Sequence, residues 1–138
     1  MTSSILTPVL FMVAWTLVMW VWMYATRIPA MQKAGIDATK MKEKSEMDVL
    51  PQSVRRIADN YNHLHEQPVL FYALILYTHL VGAADGLNIM LAWAFVILRV
   101  LHSIFQATVD FIPVRFGLFV LASVPLFVIT VRNLLALL

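Results

Sequence analysis

Eighteen residues, Arg55 to Tyr72 (RRIADNYNHLHEQPVLFY), run from a charged segment straight into an apolar one. Arg55, Arg56, Asp59, Asn60, Asn62, His63, His65, Glu66 and Gln67 crowd the entrance to that apolar run. Polar side chains at the mouth of a membrane span are costly unless something uses them. A second polar set follows in Arg99, His102, Ser103, Gln106 and Asp110, and Arg115 stands just beyond it. Arg99, His102 and Gln106 are spaced i, i+3 and i+7, which puts them on one helical face. Asn62 and Glu66 are four apart, as are Asp59 and His63. Guanidinium forks grip carboxylates with two parallel bonds. Glu66 suits an ammonium group, and Asn62, His102 and Gln106 suit amides. The inventory fits a small zwitterionic or peptide-like molecule with more than one carboxylate.

Other chemistries fit less well. The chain has no cysteine, which excludes thiolate nucleophiles, thiolate metal sites and disulfides. His63 and His65, two apart on a helix, point away from each other. No His-x-x-x-His spacing exists, so no metal site is expected. Ser103 has His102 as its only nearby base, and adjacent helical residues do not face each other. His79, Tyr72 and Tyr77 read as packing or interface residues. A bland alternative for Arg99 and Glu66 is an ion pair that only sets helix register.

The elements that must position these groups are membrane helices. Of 138 residues, 61% are hydrophobic and 13% charged, against about 25% charged in a soluble domain. Mean hydropathy is +0.79. The net charge of +2 is too small to argue for nucleic acid. Met1 to Thr26 carries no charge, and about 20 apolar residues cross a bilayer. The first span is expected at about residues 5–26, retained rather than cleaved because MTSSIL lacks a basic flank. Trp15, Trp20, Trp22 and Tyr24 set its later half at an interface.

Arg27 to Asp59 holds seven of the ten basic residues and five of the eight acidic ones. A solvated loop at about 27–55 is expected, cytoplasmic by its Lys and Arg excess, with both chain ends on the non-cytoplasmic side. Pro51 and Ser53 mark a helix start. That helix is expected to run on into a second span at about 60–84, kinked at Pro68. Asp85-Gly86 is the expected reversal before a third span at about 88–110. A turn over Asp110–Arg115 leads to the fourth, at about 115–137. The fold class is therefore an all-α integral membrane protein, an up-down four-helix bundle in one domain over 1–138.

That topology starts the second span inside, ends the third inside and starts the fourth inside, so the three polar clusters meet at one level. Arg99 lies roughly 16 Å along the helix from Asp110, near mid-membrane, where a charge needs a partner. Glu66 is the expected partner. Lipid at the far side of the site admits an apolar second substrate.

Two stretches carry a resemblance. Arg56–Pro68 is similar to the Arg…Asn…Glu…Pro signature that opens the second helix of the MAPEG family, the membrane-associated proteins of eicosanoid and glutathione metabolism. Ala92–Ser103 resembles the Arg-x-x-His or Arg-x-x-Tyr element of that family's third helix. Arg115 stands where the family's thiol-activating Arg is expected. The chain departs from the pattern at His63, where the family carries Asn, and at Gln67, where Tyr often follows the Glu. His102 and Gln106 replace the two tyrosines of eicosanoid-making members. The resemblance implies a homotrimer that binds glutathione as co-substrate on the cytosolic side. It implies transfer to lipophilic electrophiles, or reduction of hydroperoxides, by a thiolate that Arg115 stabilises. By the same carry-over, Glu66 holds the ammonium, and Arg56, Asn62, Arg99 and His102 hold carboxylates and amides; Asn60, His63 and Gln106 complete the expected glutathione-binding set. Non-catalytic members that bind lipid make a trimeric membrane protein holding lipid or a small acid the alternative.

Overall fold

The computed structural model describes residues 4–40 and 49–138, so Lys42 and Lys44 of the basic loop lie outside the described residues. Five α-helices lie among them: α1 (Leu6–Ala34), α2 (Gln52–His63), α3 (Gln67–Leu80), α4 (Gly86–Thr108) and α5 (Ile112–Leu135), with a short 3-10 turn at Ala38–Lys40. Helices α1, α4 and α5 are each long and apolar enough to cross a membrane.

The first helix runs eight residues past Thr26, through segment 27–34 that the charge pattern assigns to the loop. Its 29 residues span about 43 Å, against a hydrocarbon thickness of about 30 Å. That length carries Arg27 and Lys33 clear of an apolar layer while the backbone stays helical. Gly35 ends the helix in a left-handed conformation (φ 70°). The Ile36 N–H then closes back on the Met31 carbonyl at 2.9 Å, the pattern of a glycine-capped terminus.

The second span is not one helix. α2 stops at His63, residues 64–66 form a turn, and α3 restarts at Gln67. Pro68 explains the break: it has no N–H for the carbonyl of Leu64, and its ring collides with that carbonyl in a continuous helix. In the first turn of a new helix the same ring is well placed. Glu66, just before the restart, has φ −102° and ψ −93°, outside the helical region. The reversal after α3 also differs from expectation. Gly82, not Gly86, takes the left-handed conformation (φ 75°). Asp85 instead caps α4, its carboxylate accepting the Asn88 N–H at 2.8 Å.

α5 lies along α4, α2 packs against both α1 and α4, α1 also meets α3 and α4, and α3 touches α5. The core between them holds Met12, Met19 and Met23 of α1, Phe71 and Ile75 of α3, Ala92, Phe95 and Val96 of α4, and Ala122, Leu126 and Ile129 of α5. Phe71 and Phe95 stack with centroids 4.5 Å apart. The outward faces carry many large apolar side chains, among them Leu10, Leu17, Val21, Phe116, Phe127 and Leu135. Helices apolar on every side belong in lipid or against other apolar helices.

Candidate functional site

The break at 64–66 builds the site. In an unbroken helix the His63 carbonyl would accept the Gln67 N–H. Here it accepts the Glu66 N–H at 3.1 Å and, from α4, Nη2 of Arg99 at 3.1 Å. The break also turns His63, Glu66 and Gln67 toward a cavity of about 200 Å³. Helix α4 supplies Arg99 and His102 to its wall, and α5 supplies Ile112, Arg115, Phe116 and Phe119.

Arg99 is 1% exposed. The bond to His63 uses one of its nitrogens, while Nε and Nη1 are buried without a partner. The expected ion pair with Glu66 is not formed. Among the described residues the pairs within 4.0 Å are Arg115–Asp110 and Arg132–Asp85. Glu66 is exposed and acts on Arg99 only through space. The physical reason is again the break, since the non-helical backbone at 66 removes the side chain from the register that a continuous helix would impose. His102, 3% exposed, likewise has Nδ1 without a partner, and Gln67 has an unpaired Oε1. Four unsatisfied buried polar atoms on residues that line one cavity are unusual, because buried donors and acceptors are nearly always paired.

Arg115 stands in the first turn of α5. Its Nη1 donates to Asp110 Oδ1 at 2.7 Å. Asp110 ends the turn from α4 with φ 53°, a left-handed conformation that Asp tolerates better than most residues. The positive end of the α5 dipole adds to the guanidinium, so this wall of the cavity favours an anion.

The other candidates lie outside the cavity lining. Arg56 donates through Nη1 to the Thr108 carbonyl, tying α2 to the end of α4. Asn60 is fully buried and donates to the Ser103 hydroxyl. Asn62 is exposed. Gln106, 1% exposed, reaches the site only through His63, whose Nδ1 lies 2.9 Å from its Nε2. Arg99, His102 and Gln106 do share one buried face of α4, as their spacing predicts. The α5 residues Ile112, Phe116 and Phe119 are missed by a search for polar types. Their signal is spacing: they flank Arg115 at three before, one after and four after, a single helical stripe.

A second, apolar groove of about 540 Å³ adjoins the first cavity and shares Gln67 and Phe119 with it. Leu70, Leu74, Leu126 and Phe127 line it between α3 and α5. At the junction Gln67 Nε2 donates to Ser123 Oγ at 2.6 Å. A polar chamber and an apolar slot thus meet at one pair of side chains. A family model described as the MAPEG family matches residues 5–135. No curated protein and no solved structure matches the chain.

Proposed function

The chain belongs to the MAPEG family, and from that premise we propose a glutathione-dependent transferase or peroxidase acting on lipophilic electrophiles or hydroperoxides. The observation that carries the reading is Arg99: a guanidinium enclosed in the fold with two donors unfilled, beside a cavity that Arg115 also lines. A carboxylate would fill those donors with charge-assisted bonds. Glu66, exposed at the rim, suits the ammonium group of the same molecule. Arg115 and the α5 dipole suit a thiolate, since nearby positive charge stabilises the ionised sulfur. The adjoining groove suits an apolar second substrate. In this reading protomers assemble as a homotrimer of up-down bundles, with the site facing the cytoplasm and both termini on the other side.

Calorimetry with glutathione and turnover of an aryl halide or lipid hydroperoxide in detergent test the proposal. Binding is expected for the wild type and lost in Arg99→Leu. Turnover is expected for the wild type and lost in Arg115→Ala, with binding retained. A wild type that neither binds glutathione nor turns over removes the reading. A non-catalytic trimer holding lipid or a small acid is the second reading. It is favoured by the pairing of Arg115 with Asp110, against which a thiolate must compete, and it predicts binding without turnover.

A further inference from the structure

Of the cavity's two histidines, His63 is the one whose ring a hydrogen bond anchors. Its Nδ1 meets the amide of Gln106, with Nε2 of that amide at 2.9 Å and Oε1 at 3.2 Å. Rotation of one amide therefore serves either tautomer of the ring. Nε2 of Gln106 donates to a bare Nδ1, or a protonated Nδ1 donates to Oε1. In the second state the ring's own Nε2 is unprotonated, and among the described residues no hydrogen bond engages it. Gln106 is itself buried on α4, so the ring is held by a group that solvent does not reach. Glu66 stands on the same turn; Arg99 and His102 face the cavity from α4, and Arg115 from α5. Asp110, paired with Arg115, is the next carboxylate. Helix α1, which packs on α2, sends no residue to the cavity wall.

Resting on the glutathione reading above, we infer that His63 is the general base of this site, taking the thiol proton of glutathione onto its Nε2, with Gln106 as the positioning residue that holds the ring. The S–H bond breaks, the proton passes to the imidazole, and the sulfur keeps the electron pair beside Arg115. With a halide electrophile the thiolate forms a carbon–sulfur bond, halide leaves, and the imidazolium gives its proton to solvent. With a hydroperoxide the thiolate attacks the terminal oxygen and the O–O bond breaks. The imidazolium then returns its proton to the departing alkoxide, giving an alcohol and glutathione sulfenic acid. A second glutathione converts the sulfenic acid to disulfide and water. Arg115 supplies charge to the sulfur, and the proton transfer belongs to His63.

The test is the pH profile of kcat/KM in detergent-solubilised wild type and H63N, with an aryl halide and with a lipid hydroperoxide. H63N keeps an amide for Gln106 but has no base. At pH 7 it is expected to lose about 10²-fold in kcat/KM, the scale of one general base. With the halide the loss should shrink as the pH passes about 8.5, where a thiol ionises unaided. With the hydroperoxide the loss should shrink over the same range, because a thiol that ionises unaided leaves no proton on the imidazole and solvent protonates the alkoxide in both proteins. The glutathione Kd should stay within a few-fold. Q106L, which keeps the ring and removes its anchor, should show the same alkaline recovery with a smaller loss, about 10-fold at pH 7. It carries the test if H63N does not fold. A deficit of one size at every pH, or none, overturns the base while leaving the glutathione reading intact. Absence of turnover by the wild type overturns both.

Discussion

The two ends of the bundle carry two arginines in opposite condition. At the end bearing the α2–α3 break, Arg99 is enclosed with Nε and Nη1 unfilled. At the end bearing the α3–α4 turn, Arg132 is filled: it bonds Asp85, and its Nε donates to Asn88 Oδ1 at 2.9 Å. Asn88 Nδ2 continues to the Ala83 carbonyl at 2.8 Å, and Asn133 donates to Thr78 at 2.9 Å. The second cluster is closed on itself and clasps α5 to the turn before α4. The first is open, with donors that no group in the fold fills. A polar cluster inside an apolar protein is therefore assigned by its unmet bonds, not by the residue types it contains, since both ends have Arg, Asn and a carboxylate.

That contrast can be broken in four places, taken from the largest effect down. Arg115→Ala should lower kcat for thiol transfer by about 10²–10³, as loss of one preorganised charge at a developing anion does, with the glutathione Kd changed only a few-fold. Pre-steady-state and steady-state assays separate the two. Arg99→Leu should weaken glutathione binding by about 10²-fold, on the scale of a buried charge-assisted contact. Its unliganded thermal midpoint should not fall, because an incompletely paired buried charge is itself destabilising. A lower midpoint together with unchanged Kd would make Arg99 a structural group like Arg132. At the other end Thr78→Val leaves Asn133 Nδ2 without its partner and should cost about 1–2 kcal/mol, read by denaturant unfolding, with ligand affinity unmoved.

The smallest effect is one of pH. The Asn88 backbone N–H, and then Arg132, hold the Asp85 carboxyl below its ordinary value of 3.8. A carboxylate depressed in the folded state stabilises above its unfolded value, and that contribution disappears as pH falls through the folded one. Stability should therefore be lost on acidification below about pH 4, and Asp85→Asn should flatten that limb and lower the midpoint at pH 7. Equal acid limbs for wild type and variant would remove the clasp from the account.

Much of this was readable from residue order. The long apolar runs mark α1, α4 and α5, and the stripe Arg99, His102, Gln106 turns inward as its spacing requires. The cavity's membership was readable in part. His63, Glu66, Arg99, His102 and Arg115 line it, but Arg56, Asn60 and Gln106 bond other groups and Asn62 is exposed. Three of these four lie in the stretch ahead of Pro68, where the expected i, i+4 relation of Asn62 to Glu66 also crosses the point at which α2 stops. Helical periodicity was extended through a point where the helix stops, and side-chain directions beyond a break do not follow from a 3.6-residue repeat.

Composition and periodicity alone settle that this chain is helical and apolar on its outer faces, and that α4 has a polar inner stripe, because these depend on local spacing and on the hydrophobic effect. Pro68 alone also requires some break or kink. Which atoms the break then exposes was settled only by tertiary packing. Arg99 met a carbonyl on α2 instead of a carboxylate, and two of its nitrogens were left buried without a partner. Such an outcome depends on how three helices lie against one another, and no local rule about any one of them contains it.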